Sequence, residues 1–197
     1  MDKVGDLILP FRRGRDYVQG AELCDAMLAA VADKVSDLSF SAHDMLRVHG
    51  AEMFALAPDE VERLADFPVR LRLRGDAENR HFVLRPVADV AGPEELEDHE
   101  AEIWTLARRD GEAIAFEGLS PLPPLGTAVS LKKRLMLDLF PERRGKWIFC
   151  RLDAPAPPPA ACPRITVRFR QAIRNIHLSE VTFGDSPPAR MQFMVTA

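Results

Sequence analysis

The stretch from Ser41 to Met53, SAHDMLRVHGAEM, brings His43, Asp44, His49 and Glu52 close together in the chain. If residues 44–55 form a helix, His49 and Glu52 stand one turn apart, where a carboxylate can orient an imidazole. An imidazole so held is the usual general base, because it titrates near working pH. His43, His49 and Glu52 are therefore the candidate catalytic residues. They make a poor metal site, since two histidines separated by five residues and trailed by a glutamate match no common ligand spacing. No metal and no cofactor is expected.

A second group is made of arginines. VRLRLR, from Val69, puts Arg70, Arg72 and Arg74 on one face of a strand, and VRFR, from Val167, does the same for Arg168 and Arg170. Guanidinium forks suit phosphates, so this face could take a cofactor's phosphates, a nucleic-acid backbone or an acidic partner. The plainer reading is a solvated face whose arginines pair with the chain's own acids. With 26 basic residues against 30 acidic ones the formal charge is −4, so nucleic acid is not the favoured partner.

These residues need elements to place them. DLILPF, from Asp6, reads as a strand that Pro10 confines to an edge or a strand end. AELCDAMLAAVADKV has Leu23, Met27 and Val31 at helical spacing, and DLSFSAH alternates as a half-buried strand does. Residues 44–66 read as one or two short helices, the second starting at Pro58 with acids in its first turn. Next come an arginine hairpin over 69–87 and an acidic connector with a short helix after Pro93. Two strands then flank Asp110-Gly111, a strong hairpin signal. AVSLKKRLMLDLF reads as a helix ended by Pro141 and KWIFCRL as a strand. A proline-rich linker, a second arginine hairpin over 165–183 and a final strand ARMQFMV follow.

The two hairpins repeat. Arg72, Arg74, Asn79 and His81 reappear 96 positions later as Arg168, Arg170, Asn175 and His177, and DLILPFRR aligns with EIWTLARR at the same offset. Repeats deserve attention before motifs, because they fix the architecture. The expectation is an α+β chain with an internal duplication of a strand-helix-strand-hairpin unit. Residues 1–98 and 99–197 form its two repeats, packed as one globular unit, with EIWTL and MQFMV as closing strands. This order of elements resembles the hot-dog fold, two copies of which form a tandem (double) hot-dog.

That resemblance implies an acyl-thioester or similar elongated ligand between the repeats, with dehydratase- or thioesterase-like chemistry. The alternative is a non-catalytic interaction subunit that offers its arginine face to an acidic protein or nucleic-acid partner. Cys24, Cys150 and Cys162 lack metal-ligand spacing and cannot all pair, which fits a reducing compartment. The apolar run near the N-terminus is too short for a secretory core, and no stretch is long enough to span a bilayer. A cytoplasmic protein without membrane partners is expected.

Overall fold

The computed structural model describes residues 1–31, 35–74 and 79–196. The chain divides into two compact units, Met1–Asp98 and His99–Ala197.

The first unit runs β1 (Asp2–Ile8), α1 (Gly20–Ala29), β2 (Asp37–Ala42), β3 (Gly50–Leu56), a 3-10 helix (Pro58–Asp66), β4 (Val69–Arg74) and β5 (Asn79–Val87). Its strands are antiparallel in the order β1-β3-β5-β4-β2. Alternation along β4 buries Val69, Leu71 and Leu73 completely and turns the arginines outward. Leu38 and Phe40 on β2, Met53 on β3 and Leu84 on β5 are likewise buried, and α1 buries Ala21, Leu23, Cys24 and Met27. A smaller cluster of Phe54, Leu56, Phe67 and Val83, with Met1 and Leu64 against it, occupies the other face of β3 and β5.

The stretch 44–55 is not helical. Ala, Glu, Met and Leu favour helix as isolated residues, but GAEMFAL pairs on one side with β1 and on the other with β5. As a central strand covered on both faces it buries Gly50, Ala51, Met53, Phe54 and Leu56. Gly50 itself is required: a Cβ there would lie 2.9 Å from the Val87 carbonyl oxygen and 2.4 Å from Val90 Cγ2. The helix proposed from Pro58 is present as the 3-10 helix, where Glu60 accepts from the Ala57 amide at 3.1 Å. Residues 93–95 form no helix. The GDAE turn of the first arginine hairpin lies outside the described residues.

The second unit runs α2 (Glu100–Leu106), β6 (Arg108–Asp110), β7 (Ala113–Glu117), α3 (Pro124–Leu139), β8 (Lys146–Ala154), β9 (Arg164–Ile173), β10 (Ile176–Phe183) and β11 (Ala189–Thr196). The strand order is β6-β7-β9-β10-β11-β8, again antiparallel throughout. α3 lies against β7, β8, β9 and β10 and buries Leu125, Ala128, Leu131, Leu135 and Met136. EIWTL is helix, not the expected closing strand. Trp104 Nε1 donates to the Ser130 carbonyl at 3.0 Å and Glu100, two residues before this stretch, pairs with Lys133, so α2 is tied to α3. Asp110-Gly111 does turn a hairpin, with Gly111 at φ +55° where a side chain would be strained.

Each unit contains a strand, a helix and a second strand in succession, in the second unit after α2 and β6, and the two strands lie at opposite ends of a five-strand run: β1 and β2, β7 and β8. The middle three are threaded differently, as β3-β5-β4 in one unit and β9-β10-β11 in the other. The arginine hairpin β4-β5 therefore occupies the positions of β11 and β10, whereas the second hairpin is β9-β10. The 96-residue register thus fails residue by residue, because alternating arginine strands resemble one another wherever they sit.

Candidate functional site

His49 immediately precedes β3. Its Nδ1 lies 2.8 Å from the Leu9 carbonyl oxygen, its ring stacks on Phe11 with centroids 3.9 Å apart, and a Cβ on Gly92 would come within 2.4 Å of it. A carbonyl only accepts, so in the neutral ring Nδ1 carries the proton and Nε2 keeps the basic lone pair. Nε2 makes no hydrogen bond to any described residue. The imidazole is thus held on three sides, with one functional atom left over.

Glu52 is not the group that holds it. Three residues along an extended chain point to opposite faces, and Glu52 pairs with Arg85 and, at 2.9 Å, with Lys3. Those two cations, Arg85 first, keep its carboxyl below the usual range. The expected His49–Glu52 dyad is therefore absent, and a backbone carbonyl takes the orienting role. His43 lies exposed in the turn after β2, its amide donating to the Pro68 carbonyl at 2.7 Å.

Of the arginines, Arg70 donates to the backbone carbonyls of Phe67 (3.0 Å) and Ala65 (3.2 Å). Arg74 stands 3.9 Å from Asp37, and Arg170 pairs with Glu180 at 2.5 Å. Arg72 and Arg168 make no hydrogen bond or ion pair with a described residue. The face is mostly neutralised from within.

Sequence reasoning missed a second group beside His49. Arg12, which directly follows the segment 9–11 that holds the imidazole, is 3% exposed and gives both Nε (2.8 Å) and Nη2 to the same oxygen of Glu22 on α1. Glu22 Oε2 is left buried without a donor, and Asp25 follows at i+3 on the same helix face. Burial, and then the Glu22 charge, raise Asp25 to about 7 although Arg12 opposes them. A carboxylic acid half-protonated at neutral pH can give or take a proton. The visible signal was Glu22 and Asp25 at helical spacing after an arginine-rich turn.

The second unit holds two more buried polar residues. Lys132 on α3 is fully buried and donates to the carbonyls of His177 (2.8 Å) and Met191 (2.5 Å), and burial pushes its ammonium well below the usual range. His177 on β10 sits among Phe140, Trp147 and Phe169 with no partner for either ring nitrogen among the described residues. His81, its counterpart in the sequence repeat, is paired across strands with Arg72. No group of three or more metal-ligating side chains occurs among the described residues, and none of their helices is long and apolar enough to cross a membrane.

No family model and no curated protein matches the sequence. Solved structures do match. The dehydratase domain of RzxB from Pseudomonas fluorescens is 13% identical, with 98% of this chain and 89% of that one covered and a TM-score of 0.53. A monomeric dehydratase domain from a trans AT polyketide synthase split module covers 100% of both chains at 9% identity and a TM-score of 0.52. The tesB protein of Mycobacterium avium subs paratuberculosis covers 98% and 94% at 10% identity and 0.51. The fold is hot-dog. α1 follows β1 and α3 follows β7, each the first strand in the chain of its five-strand run, and Asp25 and Lys132 stand on them.

Proposed function

We propose that the protein binds an acyl-thioester and that His49 is the base acting on it, in dehydration or thioester hydrolysis. One observation carries this reading: the Leu9 carbonyl fixes the proton on Nδ1 and leaves Nε2 as a lone pair without a partner among the described residues. In a dehydration, Nε2 removes the proton α to the thioester carbonyl. The C–H electron pair forms the double bond, and the β-hydroxyl leaves as water with a proton from an acid, for which Asp25 is the candidate. In a hydrolysis, Nε2 takes a proton from water as its oxygen attacks the thioester carbon, and the thiol departs protonated. The whole-chain likeness to dehydratase domains supports the class of substrate, and a cytoplasmic setting suits it.

The test is turnover of a panel of 3-hydroxyacyl, 2-enoyl and saturated acyl-thioesters. Turnover of at least one member is expected, with His49→Ala lowering kcat at least about 100-fold, the usual scale of general-base loss. A folded protein inert towards the whole panel, or a His49→Ala variant as active as the parent, would overturn the proposal. The arginine-face alternative is weaker, since Arg70, Arg74 and Arg170 already have partners.

A further inference from the structure

At the far end of β3 from His49 the first unit has a cleft of about 420 Å³. Ala55 and Leu56 close β3, Pro58 and Val61 come from the 3-10 helix, and Asn79, Arg80, His81 and Phe82 open β5. This volume lies in the range of small-molecule sites. Its walls are apolar on the helix side and polar on the β5 side. None of the lining residues among those described is acidic.

The charge beside it is positive. Arg72 faces His81 directly across the β4-β5 ladder, so both side chains leave the same face of the sheet at adjacent positions. Leu56 is the Cα partner of His81 on the other side, which brings apolar wall, imidazole and guanidinium into one cross-strand row. The neighbouring outward arginines are spent, Arg70 on backbone carbonyls and Arg74 near Asp37, whereas Arg72 bonds to no described residue. Burial first, and then the Arg72 charge, lower the His81 pKa, so the positive field of Arg72 reaches the imidazole.

We infer that this cleft binds a small organic monocarboxylate, its carboxylate between Arg72 and His81 and its aliphatic part against Leu56, Pro58 and Val61. Arg72 supplies a planar fork of donors matching a carboxylate, and His81 adds a single N–H. The apolar wall contributes affinity in proportion to the alkyl surface it covers. This site is separate from the one assigned to His49. β3 extends from Gly50 to Leu56, so about 20 Å lies between the two at roughly 3.3 Å per residue.

Titration of the intact protein with octanoate, followed by NMR, tests the inference. Saturable shifts confined to Leu56, Val61 and His81 are expected. Octanol, with the tail alone, and inorganic phosphate, with charge alone, should each bind at least about tenfold more weakly, a loss of about 1.4 kcal/mol. Arg72→Gln should weaken octanoate by a similar factor and Arg72→Lys by less. Val61→Trp, which fills the cleft, should abolish binding, while His49→Ala leaves it unchanged. Equal binding of phosphate or octanol, shifts mapping elsewhere, or an Arg72→Gln variant with parental affinity would each overturn it.

Discussion

Trp147 and His177 meet nearly at right angles, ring centroids 4.7 Å apart and planes at 77°, and neither indole nor imidazole nitrogen has a hydrogen-bond partner among the described residues. The imidazole is enclosed by Phe140 and Phe169 as well, with Lys132 and Arg143 as its charged neighbours. A proton there would add a cation to a place that already repels one. Burial, then Arg143 and Lys132, accordingly hold the His177 pKa below its ordinary value of 6.5.

The sign of the resulting pH dependence follows. The unfolded chain takes up a proton near pH 6.5 that the native ring refuses, so stability is complete above that pH and declines as pH falls below it. Between pH 7.5 and 5 the parent should lose denaturant-midpoint stability on acidification relative to His177→Phe, the difference between the two isolating the His177 component from other titrating groups. An unchanged slope in the variant would remove His177 as its source.

Asp25 has the opposite sign. Its pKa rises from 3.8 to about 7 on folding, so the native state keeps a proton that the unfolded chain gives up. The contribution is complete below pH 3.8 and lost as pH rises through about 7. Three units correspond to about 4 kcal/mol, an upper figure for a group that is not wholly enclosed. Asp25→Asn should therefore be clearly more stable than the parent at pH 8 and close to it at pH 4, by chemical denaturation.

Lys132 tests how a buried cation is supported. Lys132→Ala leaves the His177 and Met191 carbonyls without their side-chain donor and opens a cavity, so a loss of about 3–5 kcal/mol is expected. Lys132→Met keeps most of the volume and removes the cost of burying a charge, so its loss should be smaller. Equal losses would show that volume hardly matters at this position.

Gly92→Ala addresses His49 without touching it. A Cβ at Gly92 would meet the imidazole at 2.4 Å, forcing the ring away from Phe11 and the Leu9 carbonyl. Turnover should fall with His49→Ala, whereas Glu52→Gln should leave kcat near the parental value because Glu52 serves Arg85 and Lys3. A fully active Gly92→Ala variant would mean that the ring has another acceptable position.

Much of the core was legible from periodicity: Leu23, Met27, Phe40 and Leu135 are buried as their spacing implied. Val31, Leu139, Ile148 and Phe169, which the same spacing placed in the core, are only half-buried. On β8 the inward phase belongs to Trp147 and Phe149, one residue to either side of Ile148, and a single-residue slip exchanges the two faces. GAEMFAL could not be read as a strand from composition, because its pairing partners β1 and β5 lie far away in the chain. His49 was legible as a residue type, but its orienting group was not. A backbone carbonyl leaves no trace in the residue types. Asp25 was hidden for a related reason, since an acid becomes unusual only when the fold desolvates it.

The differing paths of the middle strands also set the order in which each sheet can close. β9, β10 and β11 are neighbours in chain and in sheet, joined by the turns at Arg174-Asn175 and over Gly184–Pro188, so each pairing closes a short loop. In the first unit β5 must come between β3 and β4, and β3 finds that partner only after the 3-10 helix and β4 have passed. Short closures cost less chain entropy than long ones and form sooner. The half of the chain synthesised last can thus zip outward from its turns, while the earlier half waits for Val87 before its middle strand exists.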